Sequence, residues 1–137
     1  MSQYILNSVA ADAKQLRDRV AGFLAVAMWG VERDEPHRDA LAAGDLVLIY
    51  LGAPTWEFIA RAELASAVHA WTPAEARTYP GDADSGVLLA HVEAWDTPIP
   101  MDIVLERLAS NPFARADFDN GVVQITEHEW EAVLAGS

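Results

Sequence analysis

The 137 residues, 52% of them hydrophobic and 22% charged, have the length and composition of one compact domain, and they contain no run of about 20 apolar residues long enough for a membrane-spanning helix. The absence of cysteine excludes disulfides, thiolate nucleophiles, zinc–thiolate sites and iron–sulfur clusters. Nine basic residues against 21 acidic ones leave a formal charge of −12, which excludes unselective attachment to a phosphate backbone.

Tyr4-Ile5-Leu6-Asn7-Ser8 is a short apolar run closed by small polar residues and predicts a strand. Over residues 12–24, Leu16, Val20 and Phe23 recur at helical spacing. The chain then passes through Met28-Trp29-Gly30, which reads as a loop or short strand with Trp29 beside a turn. Residues 34–41 predict a short helix with Pro36 in its first turn, stopped by Gly44.

Leu46-Val47-Leu48-Ile49-Tyr50-Leu51 and residues 57–64 predict a hairpin across Gly52-Ala53-Pro54-Thr55-Trp56. Its first strand is apolar on both faces and therefore central. Thr72-Pro73-Ala74-Glu75 carries the hydroxyl, proline and carboxylate of a capped helix start. Residues 86–95 predict a strand ended by Pro98 and Pro100, and residues 101–108 a brief helix burying Ile103, Val104 and Leu108. Asn111-Pro112 breaks that pattern, and the following loop holds Phe113 and Phe118. Val122-Val123-Gln124-Ile125 then predicts the last strand, and Thr126 and Glu129 repeat the capping pattern before a closing helix that buries Trp130, Val133 and Leu134 and stops at Gly136. Intermixed strands and helices around a tight hairpin favour a curved, partly antiparallel sheet or small barrel.

Little catalytic chemistry is visible. There is no G-x-S-x-G elbow and no glycine-rich phosphate loop. His37, His69, His91 and His128 stand singly, without the i, i+4 spacing that aims two imidazoles at one metal. Asp82, Asp84 and Glu93 match three places of a calcium loop, but the required glycine is displaced, and no cofactor is called for. The tryptophans say more. Trp29, Trp56 and Trp71 fall at turns or loops, where aromatic faces can stack on a base for about 1–3 kcal/mol or enclose a methyl group or cation, whereas Trp95 and Trp130 read as core.

Met28-Trp29-Gly30-Val31, then residues 38–41, then Ala43-Gly44-Asp45-Leu46-Val47-Leu48-Ile49-Tyr50-Leu51 and residues 58–66 together resemble the EVE domain, a PUA-like family. Gly86-Val87-Leu88-Leu89, Trp95-Asp96-Thr97-Pro98-Ile99-Pro100 and residues 121–134 extend the resemblance over nearly the whole chain. It implies an α+β fold, an open β-barrel of about five to six mostly antiparallel strands wrapped by short helices. It also implies kinship with YTH domains, which hold a methylated adenine in an aromatic cage.

Carried over by resemblance, Trp29 would stack on the base, Asn7 or Ser8 would bond its polar edge, and backbone near Gly30 would accept from an exocyclic amine. Tyr50, Trp56 and Trp71 are expected as the other walls, and Arg33 and Arg38 as phosphate contacts. The related ASCH domains include hydrolases, but their G-x-K-x-x-E-x-R motif is absent, and the single lysine, Lys14, lies on the first helix. The expected function is a noncatalytic, cytoplasmic reader of a methylated or hydroxymethylated base in DNA, RNA or a free nucleoside, working beside a restriction-system or other partner protein. A small hydrolase or ligand-sensing domain on the same barrel, and a protein-interaction module, are the competing readings.

Overall fold

The computed structural model describes residues 2–108 and 121–135. Phe113, Phe118, the Asn111-Pro112 break, Arg115 and the stop at Gly136 lie outside them. The first strand, β1 (Gln3–Ser8), leads to α1 (Ala13–Val26), whose N-terminus is capped by the Asp12 carboxylate accepting from the Gln15 N–H at 2.9 Å. Ala27 ends the helix at φ 56°, donating its N–H to the Phe23 and Leu24 carbonyls, and the chain enters β2 (Met28–Gly30) at once.

The predicted hairpin forms as β3 (Leu46–Leu51) and β4 (Glu57–Leu64), antiparallel with a register shift at Ile49/Tyr50. There follow β5 (His69–Ala70), α2 (Pro73–Thr78), β6 (Ser85–Pro100), α3 (Met101–Arg107), β7 (Val122–Ile125) and α4 (Glu127–Leu134). Both predicted capping boxes are present, at Thr72/Glu75 and Thr126/Glu129.

The strands join in the order β2-β6-β4-β3-β1-β7, with β5 also paired to β6, and the sheet curls into a half-barrel. Among the described residues only β1 and β3 run parallel; the other pairings are antiparallel. This is the expected α+β, open-barrel class. Because β1 and β3 are buried on both faces, successive residues feed opposite cores. Tyr4, Leu6, Val47, Ile49 and Leu51 join Phe23, Trp29 and Val87 inside the curl. Ile5, Leu48 and Tyr50 join Phe58, Val104, Trp130 and Val133 under α3 and α4. Arg107 ties those two helices together by donating to the Ala132 carbonyl, at 2.8 Å, in the last turn of α4.

Three expectations need correction. The helix predicted over residues 34–41 shrinks to the 3₁₀ turn Arg38–Ala40, because Leu41 is its single buried apolar residue and one anchor cannot hold several turns against the sheet. The strand β6 does not stop before its prolines. Beyond Leu88 it has β4 as its one ladder partner, so Pro98 and Pro100 fall where one side of the strand has no ladder for a missing N–H to interrupt. Ile103 is 41% exposed, since a two-turn α3 presents one narrow stripe to the core and Val104 and Leu108 occupy it.

Candidate functional site

A cavity of about 400 Å³ opens at one end of the half-barrel, between α1, β2, the end of β1 and residues 79–83. Its aromatic wall is assembled from segments far apart in sequence. The left-handed cap at Ala27 swings Trp29 onto β2, where it lies opposite Val87 of β6 and packs edge-on against Phe23 (5.4 Å between centroids, 75°). Phe23 stacks on Tyr79 (5.1 Å, 17°), and Trp71 supports Tyr79 from behind (5.1 Å, 44°) with its indole N–H on the Ala83 carbonyl at 3.0 Å. The Gly30 N–H donates to the Tyr79 hydroxyl at 3.0 Å. A side chain at Gly30 would collide with that hydroxyl and with Ala83, so glycine lets β2 and the 79–83 turn close on each other. Trp29 is only 4% exposed: it is a core residue that also borders the cavity.

The polar lining is uneven. Ser8 ends β1 at the wall. Asn7 also borders the cavity and donates its backbone N–H to the Gly121 carbonyl at 2.7 Å. Its side-chain oxygen, which has no hydrogen-bond partner among the described residues, lies 2.7 Å from the point where a Cβ on Gly52 would stand. The carboxamide is therefore packed against the β3–β4 turn. Glu35 is only 9% exposed, and its Oε2 comes within 3.2 Å of the Cβ position at Gly121. Burial pushes its carboxyl above the ordinary glutamate range, against the opposing pull of backbone N–H groups at His37 and Val122. Glu32 and Asp82 supply further carboxylates, and Arg19 is the basic residue of the lining, with Nη1 donating to the Val9 carbonyl at 3.0 Å.

Of the residues singled out in the sequence, Asn7, Ser8, Trp29 and Gly30 are brought together around this cavity. Tyr50 is not: it sits on the other face of β3, against Phe58 (4.6 Å, 46°), and burial pushes its hydroxyl well above the ordinary tyrosine value. Trp56 is 51% exposed on the β3–β4 turn, outside the lining. Trp71 is one ring removed, behind Tyr79. Arg33 pairs with Asp84, holding that carboxyl below its ordinary range, and Arg38 donates Nη1 to the Val31 and Glu32 carbonyls and to Ser85 Oγ, so both guanidiniums are engaged within the protein. Sequence reasoning missed Phe23, Tyr79, Glu35 and Arg19. In the sequence, Phe23 reads only as a helical core position.

No family model and no curated protein matches the sequence. The fold, however, matches solved structures over almost its whole length. An ASCH protein from Zymomonas mobilis is 16% identical, with 98% of this chain and 94% of that chain covered at a TM-score of 0.59. A hypothetical protein from Leishmania major is 17% identical (99% and 94% covered, TM-score 0.66), and a structural-genomics protein from Agrobacterium tumefaciens 18% identical (100% and 94% covered, TM-score 0.63). The chain therefore has the PUA-like fold of ASCH proteins, to which the EVE domain is related.

Proposed function

We propose that the domain is a noncatalytic, EVE-like reader that holds a modified nucleobase of DNA or RNA in the cavity beside Trp29. The observation that carries this reading is the convergence of Ser8 from β1 and of Trp29 and Gly30 from β2 on one hollow walled by Phe23 and Tyr79. Its volume of about 400 Å³ lies within the roughly 300–1,000 Å³ usual for small-molecule sites, and one aromatic wall with a few polar groups suits a flat heterocycle. The PUA-like fold of the ASCH neighbours supports a nucleic-acid-binding role. Trp29 and Phe23 would contribute apolar contact, the Ser8 hydroxyl an edge hydrogen bond, and Glu35 an acceptor for an exocyclic amine.

Titration calorimetry with short oligonucleotides carrying methylated or hydroxymethylated bases, against unmodified controls, tests this. Saturable binding confined to the modified strands, and lost in Ser8→Phe with an unchanged melting temperature, is the expected result; equal heats for modified and plain strands would sink it.

One observation favours a second reading. A buried carboxyl with a raised pKa, such as Glu35, is what a general acid of a small hydrolase requires. Release of a cleaved product from a modified nucleoside during prolonged incubation, abolished by Glu35→Gln, would select it.

A further inference from the structure

The cavity's charge is opposite to what a phosphate-tracking groove needs. Among the described residues, three carboxylate residues, Glu32, Glu35 and Asp82, share the lining with one guanidinium, Arg19. Among the described residues neither Glu32 nor Asp82 forms an ion pair, and Arg19 already serves the Val9 carbonyl. Asp34 and Asp84 extend the acidic rim next to Glu32 and Asp82, where Arg33 neutralises Asp84 alone. These described carboxylates would repel a negatively charged occupant, and a neutral one would gain no charge attraction from their excess.

Glu35 sharpens the point. Its carboxylate is set into the cavity wall beside Gly121, nine-tenths buried; the His37 and Val122 N–H groups donate to it and the His37 ring favours its charge, but no ion pair among the described residues reaches it. A buried carboxylate is costly unless a cation compensates it. Burial outweighs those N–H groups and His37 and holds the carboxyl above its ordinary range. Trp29, Phe23 and Tyr79 border the same hollow, and aromatic rings attract cations that approach their faces.

Resting on the base-holding reading above, we infer that the occupant is a nucleobase whose ring carries a positive charge, an N-methylated purine or pyrimidine, with Glu35 as its counter-ion and the Trp29 wall as its apolar contact. A ring-methylated adenine fits this chemistry: methylation on the ring nitrogen makes the base a cation at neutral pH, whereas methylation of the exocyclic amine leaves it neutral. The two isomers have the same mass but differ in charge and in the donors and acceptors of one base edge, and salt dependence isolates the charge.

Calorimetric titration of the intact chain at pH 7 with 1-methyladenosine, N6-methyladenosine and adenosine decides the matter. The cationic isomer is expected to bind about tenfold or more tightly than either neutral nucleoside. That preference should shrink with added salt and disappear in Glu35→Gln, a variant whose melting temperature at pH 7 is expected to be no lower than that of the parent. Equal affinity for the two isomers, or a preference that survives Glu35→Gln, overturns the inference. Tighter binding of N6-methyladenosine overturns it while leaving the base-holding reading intact. If none of the three binds and modified oligonucleotides also fail, that reading falls and the inference falls with it.

Discussion

The two faces of the central strands have been packed to opposite ends. Under α3 and α4, Ile5, Leu48, Tyr50, Phe58, Val104 and Val133 fill the space, and a pair of capped or cross-braced helices closes over them. Inside the curl, rings of similar size, Phe23, Trp29 and Tyr79, stop short of filling the space and leave a hollow with carboxylates on its lining. The same β1 and β3 supply both, residue by residue. Helices lie against both faces, α1 on one and α3 with α4 on the other, so what separates a sealed core from a site is not aromatic content but whether the side chains that meet there fill the space.

Substitutions can break this contrast in graded steps. The largest effect is expected on the sealed side: Phe58→Ala removes the ring packed on Tyr50 and should cost about 3–5 kcal/mol in denaturant unfolding, while nucleoside affinity of the folded fraction stays unchanged. Gly86→Ala acts at the seam. Its new methyl would run into the Trp29 carbonyl and the Trp71 ring, so about 1–3 kcal/mol of stability and the binding should be lost together. Tyr79→Phe strips the acceptor from the Gly30 N–H at 3.0 Å and should cost about 1–2 kcal/mol, with binding weakened more than in any change beneath α4. Thr126→Ala removes the α4 cap and should cost about 1 kcal/mol without touching the cavity.

The smallest effect is one of pH. Glu35 has a folded-state pKa above its ordinary value of 4.5, chiefly through burial, with Asp34 adding to the rise and His37 opposing it. In the window above 4.5 the folded state holds the proton more tightly than the unfolded one, so stability declines as pH rises through that window. Below it both states are protonated and the effect vanishes. Glu35→Gln should flatten that part of a stability–pH curve measured by thermal melting, and an unchanged slope would place the carboxyl in water.

The hairpin, both capping boxes and the first helix were legible because their signals are local: an apolar run, a Thr-x-x-Glu spacing, a 3.6-residue period. Asn7, Ser8 and Gly30 could be singled out only as pieces of a resemblance, Trp29 also by its place beside a turn, and the fold brings the four together. Tyr50 went astray because strand parity within a central, doubly buried strand cannot be read from a run that is apolar on both faces. Trp56 and Trp71 were picked for lying at turns, a property that says nothing about which end of the barrel a turn serves. Arg33 and Arg38 looked free until Asp84, Ser85 and the Val31 carbonyl, supplied by other turns, were found to hold them. Glu35 was invisible among 21 acidic residues, because only the fold sets it beside Gly121, 86 positions further on.

The solvent-facing indole at Trp56 has a practical corollary. It will emit at long wavelength whether or not the hollow is filled, a constant lamp beside those that matter. Replacing it with phenylalanine should leave a blue-shifted spectrum in which Trp29 and Trp71 report occupancy against a darker background.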